Sequence, residues 1–171
     1  MDISFIIVSN GQKREKTDLV LRAIHAQQIK DYEIFIVGDY PKGKGYTFVP
    51  AKKSARAGLL GDMRNKACAL AEKGNIVVLD DDMILSPTWY KNLLNYKSDY
   101  DILTSQVRLP DGTRFWDHVC YQSPRYGHCI LNEDEDDGHL YMSGGEAWIM
   151  KSYVFEKCKL DKTFSIELAR A

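Results

Sequence analysis

Residues 76–82 read Ile76-Val77-Val78-Leu79-Asp80-Asp81-Asp82, four bulky apolar residues running straight into three consecutive carboxylates. An apolar run without alternation is the pattern of a strand covered on both faces, as in a parallel sheet with helices above and below. Such sheets bind ligands outside the carboxyl ends of their strands, so the acids arrive where a ligand sits. Neighbouring carboxylates repel and raise one another's pKa unless a cation compensates. Hard oxygen donors at this density suit Mg²⁺ or Mn²⁺, which keep some waters and share the rest of their shell with phosphate oxygens. The stretch by itself leaves two readings open: a metal-bridged phosphate ligand, or a solvated acidic turn.

Working outward, the first hundred residues alternate strand and helix patterns. Ile3–Val8 is a near-continuous apolar run ending in the polar turn Ser9-Asn10-Gly11. Val20, Ala23, Ile24 and Gln27 fall at helical spacing, and Thr17 with Asp18 predicts the helix start. A second strand is expected over Glu33–Gly38, and it too ends in a carboxylate, Asp39. Residues 40–58, rich in Gly, Lys and Pro, are expected to form a loop carrying one short strand at Tyr46–Val49. Asp62 is the expected cap of a helix with Met63, Ala67, Leu70 and Ala71 on one face, stopped by Gly74-Asn75. After the acidic strand, Ser86-Pro87 is expected to open a helix with Trp89, Leu93 and Tyr96 on one side. Further strands are expected at 101–107, 113–120 and 146–150, separated by polar, aromatic-rich loops.

Repeated strand–helix–strand units imply right-handed crossovers and an open, mostly parallel sheet flanked by helices. Ser9-Asn10 and Asp39 then join Asp80–Asp82 on one rim, where a nucleotide can bind across the strand ends. The acidic run Glu133–Asp137 reads as a solvated loop or, less simply, as a second metal site.

Bulk properties narrow the classes. A chain of 171 residues suits one domain. A net charge of −1 gives no global basic field for nucleic acid. No apolar stretch approaches the roughly 20 residues that span a bilayer. The chain enters its first strand at Ile3, so no signal peptide is expected. Cys68, Cys120, Cys129 and Cys158 form no Cys-x-x-Cys pair and read as reduced thiols. The expected location is cytoplasmic, at most peripheral to a membrane.

The ordered set of motifs resembles the GT-A glycosyltransferases of the family 2 type. The carriers are the Ile3–Asn10 strand, Asp39, Gly61-Asp62-Met63-Arg64-Asn65, Gly74–Asp82 with its Asp-x-Asp motif, and Pro87. Met142–Gly145 before Ala147–Lys151 looks like the Gly-Gly segment of that family, and Leu160–Phe164 like the stretch after its last strand. The resemblance implies an α/β GT-A fold over 1–171, with a nucleotide-sugar half at 1–100 and an acceptor half at 101–171. It implies metal-dependent, inverting transfer of a sugar from a nucleotide-diphosphate donor, a UDP-sugar above all, to an acceptor hydroxyl.

Carried over by position, Ser9, Asn10, Asp39, Arg64, Asp80 and Asp81 are expected at the nucleotide. Asp82, with Asp80, is expected at Mn²⁺ or Mg²⁺. Gly144, Gly145 and Trp148 are expected at the sugar and acceptor. Trp116, Tyr121, Tyr126 and Tyr141 are further aromatic side chains that could stack on a sugar or fill the core. The identities of sugar, acceptor and linkage are not legible.

One departure stands out. The family's acidic pair after the stretch matching Leu160–Phe164 has no counterpart before Ala171, where only Glu167 stands nearby. The catalytic base is therefore expected beyond Ala171, in a longer protein, with Glu146 or Glu167 as the substitute. Three rival readings remain. A haloacid dehalogenase-like phosphohydrolase would use Asp80 as nucleophile. A sugar-1-phosphate nucleotidyltransferase would open with a Gly-rich basic loop that Ser9-Asn10-Gly11-Gln12 does not show. A non-catalytic nucleotide- or carbohydrate-binding module needs no base at all.

Overall fold

The computed structural model describes residues 1–96, 99–113, 117–119, 127–129 and 147–163. Its elements in chain order are β1 (Ile3–Ser9), α1 (Arg14–His25), β2 (Tyr32–Gly38), β3 (Thr47–Pro50), α2 (Lys52–Arg56) and α3 (Leu60–Cys68). They continue with β4 (Asn75–Asp80), α4 (Trp89–Leu93), β5 (Ile102–Thr104), β6 (Asp117–Val119), β7 (Gly127–Cys129), β8 (Ala147–Lys151) and α5 (Ser152–Lys157).

Six of the strands form one sheet in the order β3-β2-β1-β4-β8-β5. β1 pairs in parallel with β2 and β4, and β2 with β3, while β8 runs antiparallel between β4 and β5. β6 and β7 pair antiparallel as a separate ribbon. The sheet is thus mixed α/β and mostly parallel, as the alternating pattern predicts.

Side-chain alternation along the central strands divides the core. Phe5, Ile7, Ile34, Ile36, Val77 and Leu79 pack with Val20 and Ile24 of α1 and Leu93 of α4 on one face. Ile6, Val8, Phe35, Val37, Ile76 and Val78 pack with Met63 and Ala67 of α3 and Phe155 of α5 on the other. Every residue of β1 is buried. Removal of a Leu- or Ile-sized side chain from such a core costs roughly 2–5 kcal/mol.

Several local expectations shift. α1 begins at Arg14, ahead of Thr17, whose buried hydroxyl donates back to the Lys13 carbonyl at 3.1 Å rather than capping the helix. Asp62 sits inside α3, where it accepts from Ser54 at 2.5 Å and Lys66 at 2.6 Å. α4 starts after Thr88, and Tyr96, expected on its apolar side, is exposed. Residues 52–56, expected within a loop, are the short helix α2. Among the described residues no helix is long and apolar enough to cross a membrane.

Candidate functional site at the strand ends

β1 connects through α1 to β2 on one side of the sheet, and the chain crosses back from β3 to β4 on its other side. The carboxyl ends of β1 and β4 therefore flank the point where strand order reverses, the place such sheets bind ligands. Val8 registers with Asp80, and Ser9 with Gly38, so the ends of β1, β2 and β4 are level. The Asp39 amide donates to the Ser9 carbonyl at 3.0 Å. Gly11, at φ +78°, lies so close to the Asp39 carbonyl that a Cβ there would clash with it.

The three acids divide into three environments. Asp80 ends β4, and its Oδ1 accepts from Arg64 of α3 at 3.0 Å, an ion pair whose arginine side chain is 10% exposed. Asp81 is buried and accepts from the Ser9 hydroxyl at 2.7 Å. Burial pushes its carboxyl upward, against the opposing pull of that hydroxyl. Asp82 is half-buried, and its Oδ2 receives Lys13 Nζ at 2.6 Å with Lys16 Nζ at 3.7 Å. Burial works to raise its pKa, but the two lysines outweigh it and hold the carboxyl below the usual range. Lys13 in turn is raised by its hydrogen bond to Asp82. Such exposed pairs contribute about 0–1 kcal/mol each.

Beside the acids lies a cleft of about 530 Å³ lined by Asn10, Gly11, Arg14, Asp39, Lys52 and Arg56, among others. Lys52 Nζ stands 3.2 Å from Asp39 Oδ2. Asn10 is exposed on this wall and its Oδ1 accepts from the Gln12 amide at 3.0 Å. A second cavity of about 540 Å³ begins at Met83, one residue past Asp82, and is mostly apolar, with Leu85, Trp89, Leu93, Leu103 and Ile149 in its walls.

Ser9, Asn10, Asp39, Arg64 and Asp80–Asp82 are thus gathered on one rim, though Asp81 points inward at Ser9. Glu146, Gly144 and Gly145 lie outside the described residues, as do Glu167, the aromatic residues Trp116, Tyr121, Tyr126 and Tyr141, and the acidic run Glu133–Asp137. Trp148, expected at the sugar, is 8% exposed and packs within the buried cluster of Met63, Val78 and Phe155. On β8, between β4 and β5 and opposite Val78, its side chain is buried in the core.

Sequence reasoning passed over Lys13, Arg14 and Lys16, and read the basic cluster Lys42, Lys44, Lys52, Lys53 and Arg56 as a mobile loop. Lys13 at the N-cap and Arg14 and Lys16 in the first turn of α1 stand, with Glu15 among them, where the helix dipole disfavours cations. The anion these cations meet in the structure is Asp82, which takes Lys13 and Lys16. Lys52 and Arg56 add two more cations from α2.

The strand-end carboxylates are the donor chemistry that Mg²⁺ or Mn²⁺ takes, and the Lys13 ammonium on Asp82 is a cation already standing there. Among the described residues no group of three or more His, Cys, Asp or Glu side chains could enclose an ion. An ion at these carboxylates would need ligand oxygens and water to complete its shell.

No protein-family model matches the chain, and no curated protein matches it in sequence. Solved structures do resemble it. Bifunctional IspDF from Campylobacter jejuni is similar at TM-score 0.58 and 12% identity, over 99% of this chain and 46% of that one. HddC from Yersinia pseudotuberculosis, in a complex with GMP-PN, is similar at TM-score 0.58 and 16% identity, over 98% and 84%. Residues 1–349 of S. aureus TarS are similar at TM-score 0.61 and 12% identity, over 92% and 49%. The same TarS fragment, with UDP-GlcNAc bound, matches 64% of this chain and 36% of that one at TM-score 0.51 and 17% identity. The chain spans about half the length of the IspDF and TarS chains. The fold defined by the sheet and these likenesses is that of the nucleotide-diphospho-sugar transferases, the GT-A-like class.

Proposed function

We propose that the chain is a glycosyltransferase domain that takes a sugar from a nucleoside-diphosphate donor, a UDP-sugar, and passes it to an acceptor hydroxyl. One observation carries the reading: the level ends of β1, β2 and β4 bring Asp39, Ser9 and Asp80–Asp82 beside a cleft walled by Arg14, Lys52 and Arg56. A carboxylate accepts an N–H or hydroxyl from base or ribose, and the cations meet the diphosphate. TarS and HddC, whose structures hold UDP-GlcNAc and GMP-PN, share the fold and so support a nucleotide here.

In the reaction the acceptor oxygen forms a bond to the anomeric carbon as the bond to the diphosphate oxygen breaks, with inversion. Asp39 and Asn10 hold the nucleoside, and Arg14 with Lys52 and Arg56 bind the phosphates. Arg64 fixes Asp80 so that it keeps one orientation towards the donor. A Mn²⁺ or Mg²⁺ ion held by Asp82, with Asp80, would supply positive charge to the leaving diphosphate. The acceptor enters from the half formed by residues 101–171, and its proton passes to a carboxylate base in the longer protein, for which Glu146 is the substitute within this chain.

A second reading, nucleotidyl transfer, is favoured by the basic turn itself. Gly11 followed by Lys13, Arg14 and Lys16 gives the loop after β1 more basic character than Ser9-Asn10-Gly11-Gln12 alone conveys. The two readings differ in product. The chain is incubated with Mn²⁺ and a panel of UDP-sugars, and separately with nucleoside triphosphates and sugar 1-phosphates. Release of UDP from one of the donors is the expected result. Release of pyrophosphate in the second series, with no UDP in the first, would replace the proposal with the second reading.

A further inference from the structure

Asp80 and Asp82 are neutralised in different ways. Arg64 is buried in α3 and reaches Asp80 from a fixed position, with its side chain 10% exposed. Lys13 and Lys16 reach Asp82 from the surface, with side chains 48% and 58% exposed, and both address the same oxygen, Oδ2. A long exposed lysine moves at little cost, whereas a packed arginine does not. Both lysines belong to the turn that opens α1, and the residues between and beside them, Gln12 and Arg14, line the cleft. Neither lysine lines the cleft while it holds Asp82, but both stand on the same short segment as residues that do, with exposed side chains free to take other rotamers.

From this geometry we propose that Lys13 and Lys16 form a displaceable cation at Asp82. They hold the carboxylate while the cleft is empty, pass to the diphosphate when nucleotide arrives, and so admit a divalent ion at Asp82 only together with nucleotide. The proposal rests on the nucleotide reading above and adds to it the order in which ion and nucleotide enter. The physical basis is exclusion: an ammonium on Oδ2 occupies the ion's place and repels it. With no group of three His, Cys, Asp or Glu side chains among the described residues to hold an ion, that repulsion weighs heavily in the empty site. Coupling of this kind is reciprocal, so a nucleotide that draws the lysines off Asp82 strengthens metal binding by the same factor by which the metal strengthens nucleotide binding.

The test uses the full chain and two probes. Mn²⁺ alone is titrated and free Mn²⁺ is read by electron paramagnetic resonance, and UDP alone, without metal, is titrated by calorimetry. Lys13→Gln combined with Lys16→Gln is compared with Lys53→Gln combined with Lys91→Gln, which removes the same charge away from the acids. The first pair is expected to bind Mn²⁺ roughly three- to tenfold more tightly than the unaltered chain in the absence of nucleotide. It is also expected to bind metal-free UDP several-fold more weakly, while the control pair moves neither value by as much. Unchanged or weaker Mn²⁺ binding by the Lys13/Lys16 pair, or unchanged UDP binding, overturns the proposal. If the unaltered chain binds no UDP with or without Mn²⁺, the nucleotide reading falls. The Mn²⁺ titration alone then decides whether the lysines hold the cation position.

Discussion

Asn65 grips the backbone of Leu160 in both directions, its Nδ2 donating to the Leu160 carbonyl at 2.8 Å and its Oδ1 accepting from the Leu160 amide at 3.0 Å. One turn earlier on α3, Gly61 lies so close under the Asp161 carbonyl that no Cβ fits between them. Between these two residues Arg64 reaches the other way, to Asp80. A single helix thus docks the stretch after α5 and steadies the acidic strand end, which gives physical content to the Gly61-x-x-Arg64-Asn65 spacing.

Asn65→Ala should lower the unfolding free energy by roughly 1–3 kcal/mol, because it leaves the Leu160 amide and carbonyl unpaired. Gly61→Ala should loosen the same stretch by overpacking, at a cost of about 1–3 kcal/mol. Chemical denaturation gives the loss of stability, and limited proteolysis within residues 158–163 shows where it falls. Proteolysis unchanged in both variants would mean that α3 does not hold this stretch.

Asp39→Ala should weaken UDP binding several-fold or more and leave the metal requirement intact, since charged hydrogen bonds contribute roughly 1.5–3 kcal/mol. Its partner Lys52 then faces the cleft unopposed and offsets part of the loss through the phosphates. Calorimetric titration with and without Mn²⁺ checks both halves of the prediction. Loss of metal dependence in this variant would place Asp39 in the metal site instead.

Two carboxylates should give opposite slopes of stability against pH. Asp62 is held below its usual value of 3.8 by the hydrogen bond from Lys66 and then by that from Ser54. Its contribution is present above the unfolded pKa and is lost as pH falls through the folded one, and Asp62→Asn should remove that acid-side loss. Asp81 is raised by burial, so its ionised form opposes folding and protonation relieves the penalty as pH falls from the raised value towards 3.8. Asp81→Asn should therefore hold its stability, or gain, near neutral pH, where Asp62→Asn loses it. Urea midpoints across the acid range measure both, and equal slopes in the two variants would contradict the assignment.

Thiol chemistry should follow burial. The Cys68 thiol is buried and pushed up to about 12 by desolvation, whereas Cys158 is exposed. At pH 8 iodoacetamide should modify Cys158 readily and Cys68 only on unfolding, as read by peptide mass spectrometry. Rapid labelling of Cys68 in the folded chain would contradict its place against the sheet.

Strands buried on both faces were the most legible part of the chain, because β1, β2 and β4 are continuous apolar runs that no local alternative explains. Their polar ends followed directly, and with them Ser9, Asp39 and Asp80–Asp82. Helix starts were less legible. Thr17 and Asp62 look like caps in sequence, but their side chains serve the Lys13 carbonyl, Ser54 and Lys66. α2 is too short for periodicity to show, and Lys52-Lys53-Ser54-Ala55-Arg56 reads as a charged loop until the sheet places it on the cleft wall. Trp148 carried no sign in sequence of whether it faced a sugar or the core, and only the position of β8 beside β4 decides it. The hold of Lys13 and Lys16 on Asp82 joins residues 66–69 positions apart, so it becomes visible only once β1 and β4 are side by side.

The central claim is that this rim binds a nucleoside diphosphate with a divalent ion at Asp82, and calorimetric titration of UDP with and without Mn²⁺ tests it most directly. In the unaltered chain Mn²⁺ should tighten UDP binding by roughly tenfold, about 1.4 kcal/mol. In Asp82→Ala that increment should vanish, while metal-free UDP still binds. An Asp82→Ala chain that keeps the full Mn²⁺-dependent gain, or an unaltered chain to which UDP does not bind at all, would contradict the account.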